Sequence, residues 1–331
     1  MTLLQFLSLG LLGLAISVGA SDARLPSGPV AGLEGQMLVV NKADNSVSVI
    51  DLASGKLTHT IPTGRGPHEL VLSPDFKHAV VTDYVGGNSL TIIDTETLTR
   101  AATIDLSDFP RPHGIEFLSG NDQVIVTSEA SANVVVATLS TAKIDSNISV
   151  NQAGAHMLAM PSDQQFVYTS NMGSNTVSEI SLVSKSKVRD IPVPSRPEAI
   201  AVTPDGTEVW VGSNDTGTLN VIKIEDGKVT ATAEGFGWPY RILFTPDGKV
   251  VVPDLEQNVI RVFNADSHEE TGSLTITGAG LQGITLYSDP NILFISLNRL
   301  NKVAVIDLNK MEVLGTYNTG NRPDGIDHLP R

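Results

Sequence analysis

One short pattern recurs seven times along the chain, and it limits the fold more than any other feature. Aligned on it, the copies read NSVSVIDL from Asn45, NSLTIIDT from Asn88, ANVVVATL from Ala132, NTVSEISL from Asn175, GTLNVIKI from Gly217, NVIRVFNA from Asn258 and NKVAVIDL from Asn301. They are spaced by roughly 41 to 45 residues, the period of a unit of four short strands. Each copy follows a strand pattern such as MLVVN, HAVVTD or EVWVGSN and precedes a charged one such as KLTHTIPTG or KVRDIPVPS. The fourth strand of each unit is apolar (ELVLS, GIEFL, MLAMP, AIAVT, RILFT, GITLY, GIDHL) and alternates as a strand lining a central channel would. Glycine (29) and proline (18) are plentiful and aromatics make up 5%, which suits many tight turns better than packed helices. The expectation is an all-β chain, a single seven-bladed β-propeller with four-stranded blades over residues 36–331.

The phase of the repeat predicts how the ring closes. The chain enters with three strands of a unit, Met37 to Pro62, and leaves with one inner strand, Gly325 to Leu329. Together they complete one blade, which leaves no open sheet edge at the seam.

Residues 1–20 carry no charge, run apolar from Leu7 to Val18 and end in Val18-Gly19-Ala20, the pattern of a signal peptide cleaved before Ser21. Their n-region lacks Lys and Arg, so an uncleaved anchor is the alternative, although the run is short for a span. The cleaved form implies a periplasmic or secreted protein with no membrane span in the mature chain. Residues 21–35 read as a flexible leader.

Charge and composition exclude several functions. The formal net charge is −14 and no Lys/Arg cluster occurs, so nucleic acid is not an expected partner. Without cysteine there is no disulfide, no zinc-thiolate site, no iron–sulfur cluster and no Cys-x-x-Cys-His attachment for haem c. No Gly-x-Ser-x-Gly elbow exposes a serine nucleophile. The TPDG stretches at 203–206 and 245–248 are turn chemistry, and Asn147 and Asn214 head Asn-x-Ser/Thr sequons.

The stretches VYTSNMGSNTVSEI and RPEAIAVTPDGTEVWVGSNDTGTLNVI, with NSVSVIDLASGKLTHTIPTGRGPHELVLSPD, resemble the YVTN family of β-propeller repeat proteins over about residues 36–331. The strand-end motif is degenerate: VVNK, VTDY, YTSN and VGSN stand where the family has Tyr-Val-Thr-Asn. The resemblance implies an often exported seven-bladed propeller related to lactonase-like and cytochrome-d1-like propellers, a fold that hosts many functions.

The turn into each inner strand carries a polar residue at one register: His68, His113, His156, Glu198, Tyr240, Gln282 and Asp324. These seven are expected to form a ring at one mouth of the channel. Three of the seven histidines of the chain fall in it, on consecutive blades. One reading has His68, His113, His156 and Glu198 hold a divalent transition metal, zinc, manganese, iron or copper. The other has polar residues capping loops and facing channel water. Arg111, Arg196 and Arg322 each precede a proline at the ring and Arg241 follows Tyr240, so guanidinium groups surround the mouth of an acidic protein. They suit a small anionic molecule, or else pair with Glu198, Asp324 or loop carboxylates. Asn41, Asp83, Asn171 and Asp254 end the second strands and either join this face or cap turns. His59, His78 and His268 fall on outer strands or loops, and His328 lies in the closing strand.

Two functions follow. In the first, the protein is a metal-dependent lyase, lactonase or related hydrolase acting on a small carboxylated compound. Tyr240 or Asp324 moves the proton, Arg241 orients the substrate, and Gln282, Arg111 and Arg322 contact it. In the second, the propeller is non-catalytic and docks a protein partner, a cell-wall polymer or a metal, copper included.

Overall fold

The structure, a computed structural model, describes residues 22–330; the expected signal peptide lies outside them. Seven four-stranded antiparallel sheets follow one another around a ring, and among the described residues there is no helix. Blades one to six are built on residues 67–105, 112–149, 155–192, 197–233, 243–275 and 281–318. The seventh joins Pro323–Leu329 to Gln36–Asn41, Ser46–Asp51 and Leu57–Pro62 in that order. Gln36 pairs with Leu329, Met37 with His328 and Val39 with Ile326, the closure that the repeat phase predicts.

The middle strands are apolar on both faces because each blade is packed between two others. A typical cluster joins Val80, Leu90, Ile92 and Ile104 of blade one to Ile115, Phe117, Val124 and Val126 of blade two. Most outer strands bury little, as their charged sequences require: Leu57–Pro62 shelters Ile61 alone.

Two local devices place the ring residues. The repeated Asn is the first. At Asn45, Asn175, Asn258 and Asn301 the backbone takes positive φ, which Asn tolerates, and each side-chain oxygen accepts the N–H of Gly66, Arg196, Gly280 or Arg322 at 2.7–2.9 Å. Each hairpin thus fastens the loop that enters the next inner strand. The second is a bulge. In six blades the ladder passes over two inner-strand residues, from Pro67 to Leu70, Pro112 to Ile115, Ala155 to Leu158, Pro197 to Ile200, Leu281 to Ile284 and Pro323 to Ile326. The released residues include His68, His113, His156, Glu198 and Gln282, which the bulge re-aims. Hydroxyls satisfy the freed backbone: Thr82 accepts Glu69 N–H, and Thr127 accepts Gly114 N–H while donating to the His156 carbonyl at 2.5 Å. Ser170 and Ser296 donate likewise to the Glu198 and Asp324 carbonyls. Blades two, three and six therefore each hold the ring residue of the next.

Blade five departs from the expected RILFT strand, pairing over Leu243–Phe244 only. Asp254 accepts the N–H groups of Gly237 and Trp238, Pro239 bridges to Asp254, Tyr240 N–H bonds to the Pro253 carbonyl, and the ladder then breaks until Leu243.

Residues 22–35, expected to be flexible, run instead along the outer strands of blades five and six. Ala23 N–H bonds to Thr275 O, Gly28 N–H to Thr316 O and Val30 N–H to the Tyr317 hydroxyl. Ala23, Leu25, Val30 and Leu33 pack into the interblade clusters below. These apolar residues are scattered among Ser, Gly and Pro without strand alternation, which is why the segment reads as a loose leader.

Candidate functional site

The mouth holds a cavity of about 340 Å³, and six of the seven ring residues line it. The seventh, Asp324, is fully buried beside it. The floor of the cavity is a charge pair. Arg241, from blade five, reaches across the channel to the Glu69 carboxylate of blade one, lies 3.9 Å from Glu198 and donates to the Tyr240 carbonyl at 2.7 Å. Burial raises the Glu69 carboxyl, and the Arg241 guanidinium pulls against that rise. The guanidinium, expected to orient the substrate, is thus buried and does not line the cavity.

The three histidines differ in state. Burial holds His68 down to about 4, and its Nδ1 lies 3.2 Å from the Gly66 carbonyl. A carbonyl only accepts, so Nδ1 carries the proton and Nε2 keeps its lone pair. His113 is held well below the usual range by burial, with neighbouring cations adding to it. Its ring lies 3.7 Å from that of His156 and edge-on to Tyr84 at 4.6 Å. Burial works against charge on His156 too, but Glu129 at 2.9 Å from Nδ1 and Glu198 at 3.7 Å from Nε2 outweigh it and raise the group. His156 is an imidazolium between two carboxylates.

Those carboxylates are held in turn. Glu129 accepts the Tyr84 hydroxyl at 2.5 Å and pairs with Arg111 at 3.1 Å, while Arg111 also donates to the Tyr84 oxygen. Glu198 accepts Asn214 Nδ2 at 2.7 Å and Trp238 Nε1 at 2.9 Å. Burial disfavours charge on both acids, yet His156 and the other partners keep them low. Asp324 pairs with Lys42 at 3.0 Å and accepts the Tyr240 hydroxyl at 3.1 Å. Burial opposes its charge, and Lys42, His68 and Arg241 prevail; burial and the same carboxylate hold the Tyr240 proton on. Tyr240 and Asp324 therefore occupy each other rather than a substrate.

Of the arginines, Arg111 and Arg196 line the cavity with half-exposed guanidinium groups. Both have positive φ, the conformation that Gly66, Gly154 and Gly280 adopt at the same register. Arg322 shares the backbone conformation but is exposed and away from the cavity, so it is not placed to contact a ligand there. Gln282 lines the cavity, and its buried Oε1 has no hydrogen-bond partner.

The proposed metal donors face other partners. The His113 and His156 rings lie against each other, tilted by 31°, and both His156 nitrogens serve carboxylates, so this imidazolium has no lone pair to give a metal. Among the described residues no group of three His, Asp or Glu is arranged to hold an ion. In this arrangement His68, His113, His156 and Glu198 do not fit a shared metal.

The sequence reading missed Lys42, Tyr84, Glu129, Met172 and Leu255, all in the lining. The signal was one residue away. Each directly follows a second strand, the register shared by Asn214 and Asn298, and these seven form an upper ring. Their neighbours Asn41, Asp83, Asn171 and Asp254 are buried turn caps: Asn41 and Asn171 donate to paired Ser and Thr hydroxyls, and Asp83 accepts from Ser89 and Thr91. Elsewhere, His59 is exposed, His78 is half-buried, His268 pairs with Glu208 at 3.0 Å, and buried His328 lies against Tyr287. Asn214 is buried at the site, which does not suit a glycan acceptor.

The YNCE-like beta-propeller family matches residues 117–238. With the seven-bladed fold, that match bears out the resemblance read from the repeats. No curated protein matches the chain. Among solved structures, hydrazine synthase of Kuenenia stuttgartiensis is 16% identical with a TM-score of 0.74, over 88% of this chain and 98% of that one. A functionally unknown protein from Desulfotomaculum acetoxidans is 17% identical with a TM-score of 0.75, over 89% and 99%. Virginiamycin B lyase from Staphylococcus aureus is 17% identical with a TM-score of 0.68, over 82% and 92%. At these identities the likeness is one of fold.

Proposed function

We propose that the channel mouth binds a small carboxylated compound and acts on it by proton transfer, the chemistry of a lyase, lactonase or related hydrolase in an exported propeller. The observation that carries this reading is His68: a neutral imidazole with Nδ1–H committed to a carbonyl and Nε2 uncommitted, in a cavity that Lys42, Arg111 and Arg196 also line. Arg111 has donors beyond those spent on Tyr84 and Glu129, and a guanidinium fork matches a carboxylate. An anion seated there favours the charged imidazole and so raises the basicity of His68 towards neutrality. His156, fixed between Glu129 and Glu198, supplies a constant positive charge behind the site. A propeller named a lyase stands among the structural neighbours, which accords with the reading without carrying it.

The test is a panel of small carboxylates and lactones incubated with the mature chain from Ser21 and followed by proton NMR for product. Turnover lost at least about a hundredfold in His68→Ala, with binding retained, supports the reading. Binding without turnover anywhere in the panel gives the non-catalytic propeller instead. A shared zinc, manganese, iron or copper would require His156 to release its carboxylates. About one equivalent of metal in the untagged protein, lost in a folded His68→Ala, His113→Ala, His156→Ala variant, would replace the metal-free account.

A further inference from the structure

The lining of the mouth is lopsided. Lys42 and Arg111 stand over blades seven and two, whereas Met172, Trp238 and Leu255, all half-buried, line the cavity from blades three and five. Trp238 is fixed before any ligand arrives: its Nε1–H donates to Glu198 at 2.9 Å, and the Arg196 guanidinium lies over its ring at 5.1 Å. A bare inorganic anion would leave this apolar wall wet. Gln282 adds an independent requirement. It is 6% exposed, lines the same cavity, and its Oε1 has no partner in the protein. A buried amide oxygen in that state calls for a donor from outside the protein, which a ligand that displaces water from the cavity has to supply.

We infer that the ligand is a carboxylate bearing both a hydroxyl or amino donor and an apolar arm, the class of the aryl-substituted 2-hydroxy and 2-amino acids. The inference rests on the reading of the mouth as an anion site. The carboxylate meets Lys42 and Arg111, the donor meets Gln282, and the arm lies against Trp238, Met172 and Leu255.

Isothermal titration of the unmodified chain with phenyllactate, lactate and 3-phenylpropionate separates the three parts. Phenyllactate is expected to bind at least about tenfold more tightly than lactate, for the arm, and than 3-phenylpropionate, for the donor. Trp238→Ala should abolish the first preference and Gln282→Leu the second. Equal binding of lactate and phenyllactate would overturn the arm, and equal binding of 3-phenylpropionate and phenyllactate the donor; either leaves the anion site standing. Binding of none of the three would overturn the anion site and the inference together. If a variant misfolds, as circular dichroism will show, the ligand series on the unmodified chain still decides.

Discussion

Replacing Arg241 by Met removes the floor of the site and tests the account of its charges. The guanidinium and Glu69 form a buried pair, with side chains 9% and 13% exposed. Deleting one partner leaves the other without compensation, which costs about 3–5 kcal/mol. Unfolding entropy is about 2.1 cal/mol/K per residue, so for a ring of roughly 300 residues that loss lowers Tm by about 5–8 °C. Burial and Asp324 then raise Glu69, with His156 alone pulling against them. An acid raised in the folded state above its unfolded value destabilises the fold as pH climbs past the unfolded value, here 4.5. The loss in Arg241→Met should therefore be smaller at pH 5 than at pH 7.5. Differential scanning calorimetry of parent and variant at both values is the assay, with Glu69→Leu/Arg241→Met expected to recover most of the loss because an apolar pair replaces a buried ionic one. A shift below about 2 °C, or one equal at both pH values, would refute the claim that Arg241 and Glu69 compensate each other in a dry floor.

Deleting residues 325–331 removes the strand that pairs with Gln36–Val39 and should lower Tm by about 10 °C or more; a loss near 1 °C by circular dichroism would mean that the seam only frays. Burial pushes Glu116 up to about 8 from 4.5, so Glu116→Gln should match the parent at pH 4 and gain on it as pH rises to 9, by at most about 5 kcal/mol. Thermal melts across that range check the slope. A Cβ at Gly315 would lie 2.7 Å from Val30 Cγ2 and 2.8 Å from Gly28 O, so Gly315→Ala should loosen residues 22–33 at a cost of about 1–3 kcal/mol. Faster tryptic cleavage after Arg24 in the folded variant is the readout.

The repeat made the ring, its seven units and its closure legible, because the period, the apolar alternation and the phase all express one constraint: each blade must cover the next. His68 and its six counterparts were found for the same reason, through a shared register marked in most blades by a proline and a repeated Asn. What escaped is what the register does not control. Glu129 and Lys42 sit one residue past a strand end, where sequence alternation stops. The Arg241–Glu69 contact joins blades five and one across the channel, a distance in sequence that no local pattern encodes. The protonation of His156 follows from two carboxylates on two other blades. The three imidazoles looked equivalent as a motif for metal, and different neighbours made two of them neutral and the third a cation.

The seventh blade also sets a schedule. Its outer three strands, within Gln36–Pro62, are synthesised well before its inner strand, Pro323–Leu329, which carries Asp324. At about 5–20 residues per second the early strands wait on the order of 15–60 s for their partner. Until then Lys42 has no Asp324 to meet, and the mouth lacks one seventh of its circumference. The proposed site therefore forms only once Pro323–Leu329 has been added: a chain that stops short of it lacks Asp324 and the strand that closes the ring.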